Sequence, residues 1–136
     1  MGRSKSIGTR AETEVVRAAG AAGHRAMRVP LKGRSDEGDV HIHTPKGRLL
    51  VVEVKAGERT RNPSWAQLGA WWTEAVIEAE RAGGEPVLVV RRWGSGKAED
   101  WWAYVWVDDL APNPHGLVNV PVQMRFGALL NWRAAT

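Results

Sequence analysis

Residues 38–55 read GDVHIHTPKGRLLVVEVK, and this stretch predicts two adjacent β-strands joined by a tight turn. Polar and apolar residues alternate along its first part, as the two-residue period of a strand requires. Its middle, TPKG, supplies turn chemistry, because proline presets φ and glycine accepts a positive φ. A hairpin centred near Lys46 places Asp39 almost opposite Glu53, at the separation of about 5 Å that joins cross-strand Cβ atoms.

Two carboxylates therefore converge on one patch, and Lys55 shares the strand face of Glu53. Two ionised acids this close repel each other unless a cation lies between them. An oxygen-only ligand set suits Mg²⁺, with Mn²⁺ as a substitute. The lysine can hold an attacking water or neutralise charge that develops on a phosphate. The pattern indicates metal-dependent hydrolysis of phosphodiesters.

A solvent-exposed strand face also commonly carries Asp, Glu, Lys and His. The residues of this hairpin alone are therefore also compatible with an ordinary surface hairpin that has no catalytic role. The run LLVV before Glu53 favours a central, covered strand, in which an unpaired Glu and Lys would be costly. His41 shares the face of Asp39. It is either an accessory group near a phosphate or bound water, or an ordinary polar-face residue.

Composition limits the class of protein. The chain has 136 residues, is 43% hydrophobic and 25% charged, and contains no cysteine. This predicts a single domain, residues 1–136, and excludes disulfides, thiolate zinc sites and cysteine nucleophiles. No apolar run approaches the roughly 20 residues that span a bilayer, and the first residues lack the apolar stretch of a signal peptide. We expect no membrane partner and a cytoplasmic location, in the host cell if the protein is viral.

Positive charge is concentrated in the half of the chain that carries the acids. Residues 1–62 contain 13 Lys/Arg and 7 Asp/Glu, whereas residues 63–136 contain 6 Lys/Arg and 8 Asp/Glu. This distribution favours a nucleic-acid-binding patch, although scattered arginine is also ordinary soluble surface. The basic candidates for DNA binding are Arg10, Arg28, Lys32, Arg34, Arg59 and Arg61.

Periodicity and capping signals predict the other elements. A first helix over residues 9–22 would begin at Thr9 as N-cap, with Glu12 completing a capping box, and end at Gly23. The order of elements is typical of a mixed α/β sheet flanked by helices. The remaining predictions are a strand at 25–29, a helix at about 64–82, strands at 86–92 and 101–107, and a strand and short helix after residue 117.

A family resemblance follows from these elements. The residues that carry it are Gly8, Glu12, Arg28, Gly38-Asp39, Glu53-Val54-Lys55 and Gln67. Over about residues 1–95, the chain resembles the archaeal-type Holliday-junction resolvases, a branch of the PD-(D/E)xK nuclease superfamily. The resemblance implies a restriction-endonuclease-like αβββαβ core at about residues 7–107. We expect a C-terminal extension after it, residues 108–136, within a Trp-rich last third of the chain that holds five of the eight tryptophans. The proline of the eponymous motif is absent, and Gly38 stands in its place.

The resemblance also implies a homodimer that binds branched or four-way DNA and uses Mg²⁺ without an organic cofactor. It implies metal ligands at Asp39, Glu53 and the backbone carbonyl of Val54. Glu12 would complete the metal site directly or through water, and its alternative role is the capping box. Ser35 lies in the loop where family members often carry a serine near the scissile phosphate.

Three assignments stay open. Asp36 and Glu37 compete with Asp39 as the motif acid, and Asp39 is preferred because it is in register with Glu53. Gln67 either hydrogen-bonds the lysine or nucleophilic water, or is a buried amide. The eight tryptophans exceed the usual content of such a core, which favours a self-association surface on the second helix and the 101–106 segment. Base stacking is their other functional interpretation.

Two further functions are compatible with the motif. The chain could be a restriction-like, repair or viral genome-processing nuclease that cuts other DNA structures. It could also be a DNA-binding subunit without activity, although the intact set of acid, acid and lysine argues against this.

Overall fold

The fold of this computed structural model is described for residues 3–30, 36–111, 116 and 118–136. The helices are α1 (Arg3–Ala21), α2 (Trp65–Ala82), α3 (Val107–Leu110) and α4 (Phe126–Ala135). The strands are β1 (Arg25–Arg28), β2 (Val40–His43), β3 (Leu49–Lys55), β4 (Glu85–Val90), β5 (Trp102–Trp106) and β6 (Pro121–Arg125). They form one sheet in the order β1-β2-β3-β4-β5-β6, in which only β3 and β4 pair in parallel. The predicted mixed sheet flanked by helices is confirmed.

The β2–β3 hairpin has the predicted register. His43 pairs with Leu49 and Val40 pairs with Val52, which centres the turn on Lys46. The backbone N–H of Asp39 donates to the Val52 carbonyl at 2.9 Å, so the pairing with β3 already begins one residue before β2. Asp39 is thereby held opposite the start of the Glu53-Val54-Lys55 segment.

Strand β3 is covered on both faces, which decides against a wet surface hairpin. On one face, α1 and α4 cover a core that continues into β2 and β5. The other face packs against α2, where Val51 and Glu53 of β3 are buried and Trp71, Trp72 and Ala75 form a second cluster with Leu88 and Val90 of β4. The first cluster includes Val15, Ala18, Val40, Ile42, Leu50, Val52, Phe126 and Leu129.

The first helix begins earlier than the sequence predicted, so the capping box is wrong. Helix α1 begins at Arg3, and Thr9 lies inside it, where its carbonyl accepts the Thr13 hydroxyl at 2.9 Å. Ile7 packs against the core one turn before Ala11, and its contacts offset the cost of Gly8 in a helix. Glu12 is consequently not a cap.

Helix α2 matches its prediction closely. Ser64 is its N-cap and accepts the Gln67 backbone N–H at 3.1 Å, and Gly83 ends it in the left-handed conformation. None of the described helices combines the length and apolar character needed to cross a membrane.

The eight tryptophans differ in exposure: three are buried, four are half-buried and one is exposed. Trp71, Trp72 and Trp101 are buried, and Trp72 meets Trp106 edge to face with ring centroids 5.0 Å apart. Trp65, by contrast, is 88% exposed at the start of α2. Trp65 is therefore the exposed ring of the predicted self-association surface, and self-association itself stays a prediction.

Gly38 precedes Asp39 with a φ of +94°, a conformation that proline cannot adopt. A Cβ atom at this position would lie 2.8 Å from Cγ1 of Val51. We expect Gly38→Ala to lower the free energy of unfolding by about 1–3 kcal/mol, measured by urea denaturation. Gly69→Ala is the matched control, because a Cβ there meets nothing within 4 Å in an exposed helix position. It should raise stability by up to about 1 kcal/mol, and equal effects of both changes would contradict the clash.

Candidate active site

Asp39 lies just before β2 and is held from both sides, by the residue that follows β1 and by β3. Its Oδ2 accepts the backbone N–H of Val54 at 2.8 Å, and its carbonyl accepts the N–H of Val29 at 2.9 Å. Burial and the adjacent Glu53 carboxyl raise the pKa of Asp39 to about 8, although the Val54 N–H acts in the opposite direction. The side chain is thus rigidly placed and poorly able to ionise without a cation beside it.

Glu53 faces α2 and is only 4% exposed. Burial, as the larger cause, and contact with Glu78 together raise the pKa of Glu53 to about 9. Burial also raises the pKa of Glu78 to about 7. Oε2 of Glu53 and Oε2 of Glu78 are both buried without a hydrogen-bond partner among the described residues. Unsatisfied buried carboxylate oxygens are costly, and coordination of a cation would satisfy them.

Asp36 joins these two glutamates. Asp36, Glu53 and Glu78 each offer a carboxylate oxygen, and these oxygens lie within 4.8 Å of one another. The Asp36 side chain is also held locally, because its Oδ1 accepts the Gly38 backbone N–H at 3.0 Å. The cluster can accommodate a divalent cation, and its donors are all hard oxygen ligands.

Lys55 lies at the end of this cluster. Its Nζ is 3.6 Å from Oε1 of Glu53 and 3.2 Å from Oε2 of Glu74 on α2. Burial alone lowers the pKa of Lys55, but the two glutamates more than offset it, so the pKa lies above its usual value. Lys55 therefore stays protonated, with its ammonium beside the carboxylates.

Glu12 approaches the site from α1. Burial and the nearby Asp39 raise the pKa of Glu12, while Arg28 acts against them. Nε of Arg28 donates to Oε1 of Glu12 at 3.2 Å. The structure thus brings together four sequence-predicted residues, namely Glu12, Asp39, Glu53 and Lys55.

The accessory candidates lie near this group in different ways. The ring Nε2 of His41, in β2, lies 2.7 Å from the carbonyl oxygen of Glu37 in the segment that precedes the strand. Gln67 is half-buried in the first turn of α2, on the helix stripe that continues to Glu74 and Glu78. Val54 is half-buried, with its N–H bound to Asp39.

The basic candidates are mostly solvent-facing. Arg10, Arg28, Arg59 and Arg61 are exposed. Of these, Arg61 pairs with Glu58 at 2.9 Å. Lys32, Arg34 and Ser35 lie outside the described residues.

Two acids of the cluster, Asp36 and Glu78, and the neighbouring Glu74 were missed or set aside on the sequence. Asp36 was passed over because it is in a loop, yet its side chain reaches Glu53. Glu74 and Glu78 are acids on the apolar stripe of α2 that holds Trp71 and Ala75, and Glu78 is only 3% exposed. An acid at i, i+4 spacing on a buried helix face was the signal that would have found them.

The chain matches no protein-family model and no curated protein by sequence. A solved structure is nevertheless similar, that of Hjc, a Holliday junction resolvase from the archaeal hyperthermophile Archaeoglobus fulgidus. The two chains are 18% identical and align with a TM-score of 0.56, over 90% of this chain and 94% of Hjc. The predicted resemblance is therefore confirmed for the fold, which is that of an archaeal resolvase.

Proposed function

We propose that this protein is a Mg²⁺-dependent, structure-specific DNA endonuclease that acts as a Holliday-junction resolvase. The observation that carries the proposal is that Asp39, bound to the Val54 N–H, lies beside buried Glu53 and charged Lys55 on the covered central strand of a resolvase fold. Burying acids and a lysine in this way costs stability, and a catalytic metal site supplies a reason for it.

The donor set fits a hard divalent cation. We assign Asp39, Glu53 and the carbonyl of Val54 as metal ligands, with Glu12 acting directly or through water. Asp36 and Glu78 supply further oxygens close to Glu53. A bound Mg²⁺, or Mn²⁺ in its place, would activate water and neutralise phosphate charge.

Lys55 supplies positive charge that does not depend on the cation. Glu53 and Glu74 hold its ammonium in place and keep it protonated. From this position it neutralises charge on a phosphate oxygen or orients the attacking water. Glu74 and Glu78 act as positioning residues through their contacts with Lys55 and Glu53.

Exposed basic residues would bind the DNA backbone beside this site. Arg10, Arg28, Arg59 and Arg61 belong to the basic half of the chain, and Lys32, Arg34 and Ser35 are assigned on the sequence. We propose that such contacts recognise a branched substrate mainly through its phosphates.

A four-way junction presents two equivalent strands for cutting, which a two-fold symmetric pair of sites matches. We therefore propose a homodimer, to be tested by sedimentation equilibrium with and without junction DNA. A single site per junction, with one strand cut per binding event, would argue for a monomeric nuclease.

The function is tested by cleavage of a synthetic four-way junction, a flap and a linear duplex in Mg²⁺. We expect paired nicked duplexes from the junction, little cutting of the linear duplex, and no product from Asp39→Asn. Preferential cutting of the flap or duplex would instead indicate another PD-(D/E)xK nuclease. Junction binding without Mg²⁺- or Mn²⁺-dependent cutting would indicate a non-catalytic DNA-binding subunit.

A further inference from the structure

A second concave surface lies beyond the carboxyl ends of β3 and β4. It encloses about 350 Å³, and we call it the aromatic groove. None of the described residues that line it is an Asp or Glu. Its aromatic and cationic members are Trp65, Trp93, Trp102, Tyr104, Arg61, Arg91 and Arg92. Such a combination of indole rings and guanidinium groups complements nucleobases and phosphates.

The aromatic groove begins one strand away from the active-site lysine. Val90, in the groove wall, is the β4 partner of Lys55. The next residue, Arg91, donates its backbone N–H to the Lys55 carbonyl at 2.9 Å. A chain of nucleotides lying in the groove would therefore lead directly to the candidate active site.

The guanidinium groups of the groove are held by aromatic rings. Arg61 and Arg91 lie 4.0 and 4.5 Å from the centroid of the Trp93 ring, whose Nε1 donates to the Thr60 hydroxyl at 2.9 Å. Nε of Arg91 is buried with no hydrogen-bond partner among the described residues. Arg92 lies 5.1 Å from the centroid of the Trp102 ring. These donors are preorganised, and that of Arg91 is unsatisfied.

Trp65 offers the ring surface that the other tryptophans do not. It is 88% exposed, whereas Trp71 and Trp72 of the same helix are buried in the core. The fold does not need an exposed indole at this position. A stacked base would cover it.

We propose that the aromatic groove binds single-stranded DNA, with a base stacked on Trp65 and phosphates on Arg91 and Arg92. The position of this strand relative to the scissile bond rests on the proposed function. The groove then selects substrates with unpaired nucleotides next to the cutting site, such as an opened branch point.

The test measures binding of a fluorescein-labelled oligo(dT) by anisotropy in EDTA, so that cleavage plays no part. We expect Trp65→Leu to weaken binding by roughly tenfold or more and Trp65→Phe to retain most of it, because stacking needs a π face. Arg92→Gln should weaken binding and reduce its salt dependence by about one charge. Arg25→Gln, an exposed change at the far end of β1, should leave binding unchanged.

Equal affinities of wild type and Trp65→Leu would overturn the proposal. So would a protein dimer that Trp65→Leu dissociates, since the groove would then contact a second copy of the chain. Junction cleavage is assayed separately in Mg²⁺. Oligonucleotide binding that depends on Trp65, without any cleavage, would count against the proposed function while supporting the groove.

Discussion

Glu53→Gln is expected to abolish DNA cleavage and, at the same time, to raise the thermal stability of the metal-free protein at pH 8. Cleavage should fall by roughly three orders of magnitude or more, because the change removes a charged metal ligand from the active site. The melting temperature should rise by about 4 °C or more, the shift that corresponds to roughly 1 kcal/mol for a domain of this size.

The sign of the stability change follows from the raised pKa. Burial holds the pKa of Glu53 at about 9 in the folded protein, against 4.5 when unfolded. Below pH 4.5 Glu53 is protonated in both the folded and the unfolded state, so its ionisation costs the folded state no stability. As the pH rises from 4.5 towards 9, ionisation favours the unfolded chain, so the folded state loses stability throughout this window. Glutamine cannot ionise and removes the loss.

The matched control is Glu80→Gln, an exposed acid on the same helix that faces Glu53. It should alter neither cleavage nor the melting temperature. Differential scanning fluorimetry from pH 5 to pH 9 gives the profile, and wild type and Glu53→Gln should diverge only as the pH rises. Parallel profiles, or retained cleavage, would remove Glu53 from the site.

The central hairpin could be predicted from the sequence because its information is local. The alternation of polar and apolar residues and the position of the TPKG turn determine the register. The register in turn places Asp39 opposite Glu53. The covered state of β3 was visible in the LLVV run. The start of α2 was equally readable, since Ser64 caps it through its own side chain.

The rest of the site depends on tertiary contacts, because a local pattern can mark an acid such as Glu78 as buried but cannot identify the residue that it meets. Glu78 reaches Glu53 only because α2 crosses β3 in one particular rotation, and Asp36 reaches both through a loop. The predicted start of the first helix was too late because Thr9 and Glu12 have the spacing of a capping box. The burial of Ile7 extends α1 past that signal, and frees Glu12 to meet Arg28.

Mn²⁺ or Mg²⁺ is expected to raise the melting temperature of the metal-free protein, by an amount that grows between pH 6 and pH 9. Protons compete with the cation, because burial raises the pKa of Glu78, Asp39 and Glu53 to about 7, 8 and 9. Fewer protons remain to be displaced as the pH rises. At 100 times its Kd, a ligand specific for the folded state adds about 2.7 kcal/mol, and EDTA should reverse the effect.

Two variants distinguish residues that bind the cation from residues that act on the substrate. Asp39→Asn should lose both the metal-induced shift and cleavage, because its carboxylate is a proposed ligand. Lys55→Met should keep the shift and lose cleavage, because its ammonium acts on the substrate rather than on the cation. The metal shift of Lys55→Met should even exceed that of wild type, since removal of the ammonium leaves Glu53 and Glu74 without their shared cation. An undiminished shift in Asp39→Asn would place the cation elsewhere, with Asp36, Glu53 and Glu78 as its remaining ligands.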